Sequence, residues 1–444
     1  MKKGMHPAQM SAMLCLTERN KAGVRRMQIQ TILNRLEKYS SFVYGQCRLV
    51  EESTSFRLEV EINPRKNGKP VCSKCGQKGS TYDHQPAPRK FDFVPFWGMA
   101  VVFVYTMRRV NCRKCGVKVE QVPWAKGKSH TTTTYAWFLS QWAKLLSWSE
   151  TAKMFNTSWA NVCNSVEMAV DWGRSRLRLG DVTAIGVDEI KWHIGHKYLT
   201  VVYQIDETMH RLIWVGERRK VKTLLKFFRW FGKDRTAGLK YIASDMWKPY
   251  LKVIAYKASH VVHVLDRFHI VSMMGKAIDK VRAQEAKALV EQGREPVLKN
   301  ARWPLLKRKE NLTTKQDVKL AELLKYNLKS IRAYLLKQNF QMFWEYQSAT
   351  WAGKFLDKWC ARTMRSKIEP MKKIAKTLRK HRPLILNWYK AKGAISQAAV
   401  EGLNNKSKLT IRKSYGFRTF RVAEIALYHT LGKLPEPKFT HTFW

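Results

Sequence analysis

The first part of the chain alternates between apolar and polar side chains with the two-residue period of β-strands. Residues 42–62 follow this pattern, and residues 92–110 form a second β-rich stretch after turn signals at 63–64 and 67–68. We therefore expect a β-rich domain over 27–125. Residues 1–26 are polar, basic and weakly periodic, so they are predicted to be a poorly ordered extension.

Helical periodicity begins near residue 131. A short helix over 149–155, a polar break at 156–158 and a longer helix from 159 to about 176 predict a helix-turn-helix within a domain over 131–178. Such a motif places one helix in the major groove of DNA. The alternative is an ordinary helical pair whose Trp and Leu side chains belong to the core.

The centre of the chain predicts a compact α/β sheet. Three consecutive strands are followed by a helix, a buried strand, a second helix and a fifth strand, an order of β-β-β-α-β-α-β. The predicted strands cover 183–191, 198–206, 210–217, 239–244 and 260–265.

No comparable strand pattern follows residue 266. Residues 267–390 are rich in Lys, Arg, Leu and Trp at helical spacing, and a further helix is predicted around 396–409. The tail over 411–420 mixes aromatic and basic side chains. These aromatic rings could stack on nucleic-acid bases, follow the sugar-phosphate backbone, or pack as core.

The composition of the chain indicates what kind of molecule it binds and where in the cell it is expected. The 444 residues include 82 Lys and Arg against 34 Asp and Glu, a formal net charge of +48, which predicts a polyanionic partner rather than a small metabolite. The 45% apolar and 12% aromatic content excludes a disordered basic tail. The apolar run over 94–107 is too short to span a membrane, and no secretory leader is recognised, so we expect a cytoplasmic or nucleoid-associated protein.

Four of the eight cysteines form two Cys-x-x-Cys-Gly knuckles. Two thiolates on a tight turn can bind one side of a tetrahedral ion, and the glycine lets the backbone fold back toward the sulfurs. Two knuckles predict one closed, structural Zn²⁺ site. The alternative is that the two knuckles are unrelated, each being a redox-active or simply buried pair of cysteines. The predicted ligands are Cys72, Cys75, Cys112 and Cys115.

Acidic residues within or directly after the predicted central strands indicate catalytic chemistry. Asp188 lies inside the first central strand and Asp245 directly follows the fourth, so the two carboxylates meet if these strands are neighbours. Close carboxylates need cations, and two Mg²⁺ or Mn²⁺ ions would also bind the attacking and leaving oxygens of a phosphodiester. Asp266, after the fifth strand, could replace or assist Asp245 as a metal ligand, or could anchor the strand end through Arg267 or His269. Glu189 is expected on the opposite face of its strand.

The third metal ligand is predicted on a later helix. Glu401 is flanked by small and apolar residues in a Lys-rich region, and Asn404, Asn405 and Lys408 share its helix face. Asn404, Asn405 and Lys408, together with cations of the tail, are candidate DNA-binding residues. The structural alternative for the acids is that Asp188, Asp245 and Glu401 are all solvated or salt-bridged structural residues. The candidate tail cations are Arg412, Lys413 and Arg418.

With these motifs in view, the chain resembles bacterial insertion-sequence transposases of the DDE class, specifically the ISL3 type with an amino-terminal zinc ribbon. The matching stretches cover about residues 27–420. Besides the two knuckles they include Val-Asp-Glu at 187–189, Ser-Asp-Met-Trp at 244–247, Leu-Asp-Arg-Phe-His at 265–269, Val-Glu-Gly-Leu-Asn-Asn at 400–405 and Tyr-Gly-Phe-Arg at 415–418.

The resemblance implies a multidomain α/β protein: a β-rich zinc ribbon, a helix-turn-helix, and an RNase H-like mixed sheet interrupted by a large all-helical insertion. It implies a metal-bound triad of Asp188, Asp245 and Glu401. The catalytic core would span 182–266 and 391–444, with the insertion at 267–390. The tyrosine and arginine that some DDE families place before the glutamate are absent, since Ala394 and Gln397 stand there.

The implied function is a transposase that binds terminal inverted repeats, cleaves DNA by water attack, and joins the freed 3′-hydroxyl to target DNA. Pairing two transposon ends predicts a homodimer in the DNA complex. Two alternatives remain at this stage, a non-catalytic DNA-binding regulator derived from such an enzyme and a stand-alone RNase H-like nuclease.

Overall fold

The computed structural model describes residues 16–443 except 21–22, 53–54, 194, 196, 208, 393 and 396. Most of the extension predicted over 1–26 therefore lies outside the described residues. Its described part forms an antiparallel hairpin of β1 (Leu16–Asn20) and β2 (Gly23–Met27). The chain divides into two compact units, one running up to residue 176 together with the stretch from 435 onward, the other comprising 177–434.

The first unit contains two further sheets and a short helix α1 (Ile29–Leu36). A four-stranded sheet has the order β3-β4-β7-β6, and a three-stranded sheet has the order β5-β8-β9. The alternating apolar positions point into one core, where Phe91, Phe103 and Trp124 are buried. The strands are β3 (Phe42–Glu52), β4 (Ser55–Pro64), β5 (Ser80–His84), β6 (Arg89–Phe96), β7 (Met99–Tyr105), β8 (Arg108–Cys112) and β9 (Gly116–Val119).

Three helices complete the first unit, at the positions where a helix-turn-helix is predicted. They are α2 (Thr133–Leu145), α3 (Trp148–Met154) and α4 (Trp159–Arg174). Ser147 and Glu150 form a capping box at the start of α3, and the side chain of Ser158, in the polar break, caps α4. Polar capping residues therefore determine where each of these two helices begins.

A five-stranded mixed sheet forms the centre of the second unit, in the order β12-β11-β10-β13-β14. The first three strands are antiparallel, while β10, β13 and β14 run parallel to one another. This arrangement confirms the predicted fold class and places the first and fourth central strands side by side. The strands are β10 (Ala184–His193), β11 (Lys197–Asp206), β12 (Met209–Glu217), β13 (Tyr241–Ser244) and β14 (Val262–Leu265).

Helices cover both faces of this sheet. On one face, α5 (Val221–Phe231) and α7 (Lys248–Lys257) share an apolar core with the sheet, and the short α6 (Lys233–Ala237) follows α5. On the other face lie α15 (Gln397–Lys413) and α16 (Phe420–Leu431).

A helical insertion connects β14 to α15, as predicted, and has an apolar core of its own that includes Phe340 and Trp359. Within it, Trp359 Nε1 donates to the Leu336 carbonyl at 2.9 Å. The helices are α8 (Arg267–Glu291), α9 (Arg302–Leu306), α10 (Thr314–Leu323), α11 (Lys329–Gln341), α12 (Ala349–Arg365), α13 (Glu369–Lys380) and α14 (Arg382–Lys390).

A glycine in β10 sets how closely α15 approaches the sheet. A Cβ atom at Gly186 would lie 2.6 Å from Val400 Cγ2, closer than such atoms pack. The missing side chain therefore lets α15 lie directly on the strand that carries Asp188. Among the described residues, no helix is both long and apolar enough to cross a membrane.

Candidate active site and metal centre

The four knuckle cysteines lie together in the first unit. Their Sγ atoms are all within 4.8 Å of one another, and Cys75 Sγ is 3.5 Å from Cys112 Sγ. Gly76 and Gly116 adopt φ of +72° and +69°, the left-handed conformation that glycine tolerates and that turns each knuckle back toward its sulfurs. We call the set Cys72, Cys75, Cys112 and Cys115 the cysteine site.

The cysteine site fits a structural zinc ion. Zn–S bonds of about 2.3 Å in a tetrahedron place sulfurs about 3.8 Å apart, in keeping with the spacing here. Backbone N–H groups of Cys75 and Lys74 lower the pKa of Cys72 to about 7, which favours the thiolate that zinc requires. Desolvation and the neighbouring thiols raise the pKa of Cys115, and a cation among the sulfurs would reverse that effect.

A buried ion pair connects the strands beneath the cysteine site. Arg108 Nη2 lies 2.8 Å from Glu120 Oε2, and both side chains are almost fully buried. The Tyr105 hydroxyl donates to Glu120 Oε1 at 2.5 Å, and Glu120 forms an isolated β-bridge with Cys72. The first knuckle is therefore attached to the strands that carry the second.

In the second unit, Asp188 and Asp245 occupy matching positions on neighbouring parallel strands. Val187 of β10 is paired in register with Ser244 of β13, so the next residue on each chain is one of the two acids. They are only 8% and 7% exposed. Burial raises the pKa of Asp188, and the nearby charge of Asp245 adds to the rise.

Hydrogen bonds hold each of these carboxylates in place. Asp188 Oδ1 accepts the Glu189 backbone N–H at 2.7 Å, and its Oδ2 accepts a short hydrogen bond from Asn404 Nδ2 on α15. Asp245 Oδ1 accepts the Trp247 N–H and Oδ2 accepts Arg219 Nη2, each at 3.0 Å. Both acids are thus fixed before any ligand binds.

Arg219 and Glu189 join this site, and sequence reasoning missed Arg219 altogether. Arg219 Nη1 is 2.8 Å from Glu189 Oε1, and its guanidinium lies 4.2 Å from the Trp247 ring centroid. Glu189 is on the α5–α7 face, as strand alternation predicts, yet Arg219 connects it to Asp245. No spacing rule identifies an arginine in the β12–α5 connection. Asp188, Asp245, Arg219, Glu189 and Asn404 are called the carboxylate site below.

The carboxylate site fits a divalent cation. Burial, followed by the charge of Asp245, raises the pKa of Glu189 to about 7. Glu189 Oε2 is buried without a hydrogen-bond partner, and Glu189 and Asp245 share the Arg219 cation. Carboxylate oxygens are the ligands that Mg²⁺ and Mn²⁺ prefer.

Asp266 acts as the N-cap of α8. Its Oδ1 accepts the Phe268 N–H at 2.8 Å and its Oδ2 is 2.9 Å from His269 Nδ1. These contacts match the anchoring role considered for Asp266. The hydrogen bond to Asp266 raises the pKa of His269 to about 9, so a second cation faces Asp188 and Asp245 at neutral pH.

Glu401 lies on α15, the helix that supplies Asn404 to the carboxylate site. It is exposed, it follows Val400, which contacts the sheet, and it precedes Asn404 by one helical turn. Among the described residues, only the cysteine site brings three or more candidate ligand atoms within 4.8 Å of one another. The three predicted acids therefore do not share that spacing.

The candidate DNA-binding residues separate into two groups. Asn404 is 8% exposed, donates to Asp188 and accepts from the Tyr203 hydroxyl at 2.9 Å, so its amide is used inside the protein, which differs from the DNA contact expected from the sequence. The other five are exposed, as a role in DNA binding requires. They are Asn405, Lys408, Arg412, Lys413 and Arg418.

Two family models match the regions of the chain that contain these two sites. Residues 185–427 match the family model of DDE transposases of the ISL3 type, described as a transposase. Residues 68–115 match the zinc finger of the transposases IS204, IS1001, IS1096 and IS1165.

Two relatives are similar over most of their length. The transposase for insertion sequence element IS1001 of Bordetella parapertussis is 28% identical over 356 residues, covering 78% of this chain and 85% of the relative. The transposase for insertion sequence element IS1557 of Mycobacterium tuberculosis (strain CDC 1551 / Oshkosh) is 29% identical over 391 residues, covering 82% of this chain and 86% of the relative. The same values hold for its counterpart in strain H37Rv.

Proposed function

Because the chain belongs to the ISL3-type family of DDE transposases, we propose that this DNA transposase cuts and joins DNA at the carboxylate site with Asp188, Asp245 and Glu401 as its acidic triad. The observation that carries the proposal is that Asp188 and Asp245 each directly follow the register pair Val187–Ser244 of two neighbouring parallel strands, with Asn404 of α15 bonded to Asp188. The triad would hold two Mg²⁺ or Mn²⁺ ions.

The two aspartates, Asn404 and Glu401 have separable tasks in this proposal. Divalent ions supply electrostatic stabilisation of the attacking and leaving oxygens of a phosphodiester. Asp188 and Asp245 are the fixed ligands, and Asn404 orients Asp188 as a positioning residue. Glu401, which is exposed, is the ligand that completes the set when α15 and DNA are both in place. Asp266 stays an alternative ligand.

DNA recognition is assigned to the first unit and to the exposed cations of α15 and its tail. The zinc ribbon and helices α3 and α4 would bind the terminal inverted repeats, and the net charge of +48 would hold donor and target duplexes through their phosphates. Affinity should therefore fall steeply with salt. Joining two transposon ends requires a homodimer on DNA, within the bacterial nucleoid.

The proposal is tested with Asp188→Asn, Asp245→Asn and Glu401→Gln in an assay of strand transfer from pre-cut transposon ends. Each variant is expected to lose at least about a thousandfold in Mg²⁺-dependent joining, since a ligand to the ions is removed. Binding of terminal-repeat DNA, measured by anisotropy, should stay within about threefold because phosphate contacts dominate it.

Asp234→Asn is the matched control, because Asp234 is an exposed acid on α6 in the same unit. Full joining activity in any triad variant would remove that residue from the site. Cleavage without joining by the wild-type protein would instead favour an RNase H-like nuclease, and DNA binding without either reaction would favour a regulator.

A further inference from the structure

A groove with aromatic walls opens near the carboxylate site, in the second unit. It has a volume of about 650 Å³ and lies between the end of β10 and the turn that follows α15. Trp192 and Phe417 are buried in its walls at 7% and 6% exposure, and Tyr415 projects from its edge. Its size is that of ligand-binding clefts in general.

Tyr415 is not explained by packing. Its side chain is fully exposed, and its backbone has φ of +52°, a conformation that glycine usually takes at the end of a helix. The Gly416 N–H donates to the Ile411 carbonyl at 3.0 Å, so this turn has a defined geometry. A solvent-exposed tyrosine ring at a backbone position that favours glycine indicates a functional role for the Tyr415 side chain.

The groove is electrostatically suited to nucleic acid. Lys191 and Arg418 are exposed on its two sides, and none of the eight described residues that line it is acidic. The rings of His193 and Trp192 pack edge to face with their centroids 5.7 Å apart, so His193 extends the aromatic wall. Aromatic rings beside cations are the surface on which unpaired bases stack while the backbone phosphates are neutralised.

The groove is also connected to the carboxylate site by two elements of the fold. Trp192 is four residues beyond Asp188 on β10, about 13 Å along the strand. Helix α15 runs from Asn404 to its end at Lys413 over about 14 Å. Strand β10 and helix α15 meet at the Asp188–Asn404 hydrogen bond, and both continue from there to the groove. The distance along either element equals the length of roughly four stacked nucleotides at about 3.4 Å each.

We infer that the Tyr415 groove binds an unstacked base of the DNA strand next to the cleavage point, with Tyr415 as the ring on which that base stacks. The inference rests on the proposed function and adds a base-binding subsite to it. It decides among the roles left open for the aromatic tail. Phe417 is core, whereas Tyr415 is available to a base.

The test uses the full-length protein and two fluorescein-labelled duplexes, one fully paired and one with a single extrahelical 2-aminopurine. We expect the wild-type protein to prefer the bulged duplex and to quench 2-aminopurine fluorescence by stacking. Tyr415→Ala should reduce that preference about tenfold and abolish the quenching, because one base–aromatic stack is lost. Tyr415→Phe keeps the ring and should retain both.

Tyr256→Ala is the control, since Tyr256 is an exposed tyrosine beside Lys257 on α7. Equal wild-type affinity for the two duplexes would overturn the groove proposal while leaving DNA binding intact. Equal loss of affinity for both duplexes in Tyr415→Ala would also overturn it, because it would show a backbone contact only. Failure of the wild-type protein to bind either duplex would contradict the proposed function as well.

Discussion

The cysteine site and the carboxylate site are two candidate metal centres built by different means. The cysteine ligands come from two short knuckles on neighbouring turns, and their sulfurs already lie within 4.8 Å. The proposed carboxylate ligands come from β10, the end of β13 and a helix that follows a long insertion, and Glu401 is exposed. One site is closed by local backbone geometry, whereas the other depends on tertiary packing.

This difference matches the two kinds of chemistry. A structural ion needs a rigid, complete ligand set, which glycine knuckles supply. A reactive site needs an open position for its substrate, so one exposed ligand is compatible with function. Until ions bind, Arg219 offsets the charge of the two buried acids nearest to it. We therefore expect metal to determine folding at the first site and to alter stability only modestly at the second.

The strongest test of this contrast is Cys112→Ser. Removing one thiolate from a closed zinc site should lower the free energy of unfolding by at least about 4 kcal/mol and release zinc, since metal binding and folding are coupled. Elemental analysis and thermal denaturation measure the two effects. Cys47→Ser is the control, because Cys47 is a half-buried thiol outside the cluster. A Cys112→Ser protein with full zinc content and unchanged melting would contradict the assignment.

A smaller effect is expected from Arg219→Gln. Loss of the guanidinium leaves Glu189 and Asp245 uncompensated and should cost about 2 kcal/mol in metal-free buffer, less than for a fully buried pair because Arg219 is 29% exposed. Mg²⁺ should restore part of this loss and stabilise the variant more than the wild type. Urea denaturation with EDTA or Mg²⁺ measures both.

Arg229→Gln is the matched control for that experiment, because Arg229 is exposed on α5 and outside the carboxylate site. If Mg²⁺ stabilised Arg219→Gln and the wild type by the same amount, the Arg219 guanidinium would not take the place of a divalent ion at the carboxylate site.

The smallest change in stability is expected from Gly186→Ala. The added methyl would press on Val400, which should cost about 1–2 kcal/mol and shift α15 away from β10. Strand transfer should fall at least tenfold while terminal-repeat binding is retained, because the Asn404–Asp188 contact is displaced. Gly180→Ala, where a Cβ meets no atom within 4 Å, is the control. Unchanged strand transfer would show that this close approach does not position the triad.

The sequence predicted the parts of the molecule that depend on local spacing. Two Cys-x-x-Cys-Gly knuckles determine the cysteine site almost by themselves. The order of strands and helices in the second unit was also predictable, because short turns favour antiparallel neighbours and helical crossovers favour parallel ones. That order was sufficient to place Asp188 beside Asp245.

The details of the carboxylate site were less accessible. The rotation of α15 is set by the contact between Gly186 and Val400, so the periodicity of the helix alone could not show that Asn404 points inward. The contacts of Arg219 with Glu189 and Asp245 depend on the reach of a long side chain across two connections. Such contacts leave no periodic signal in the sequence.

The helical insertion has a consequence for how the enzyme is made. Residues 245 and 401 are separated by 156 positions, and the intervening helices have their own core. At about 5–20 residues per second, a ribosome takes roughly 8–30 s to add that stretch. A nascent chain therefore carries both aspartates well before it carries Glu401, and a chain truncated within the insertion lacks the proposed third acid altogether.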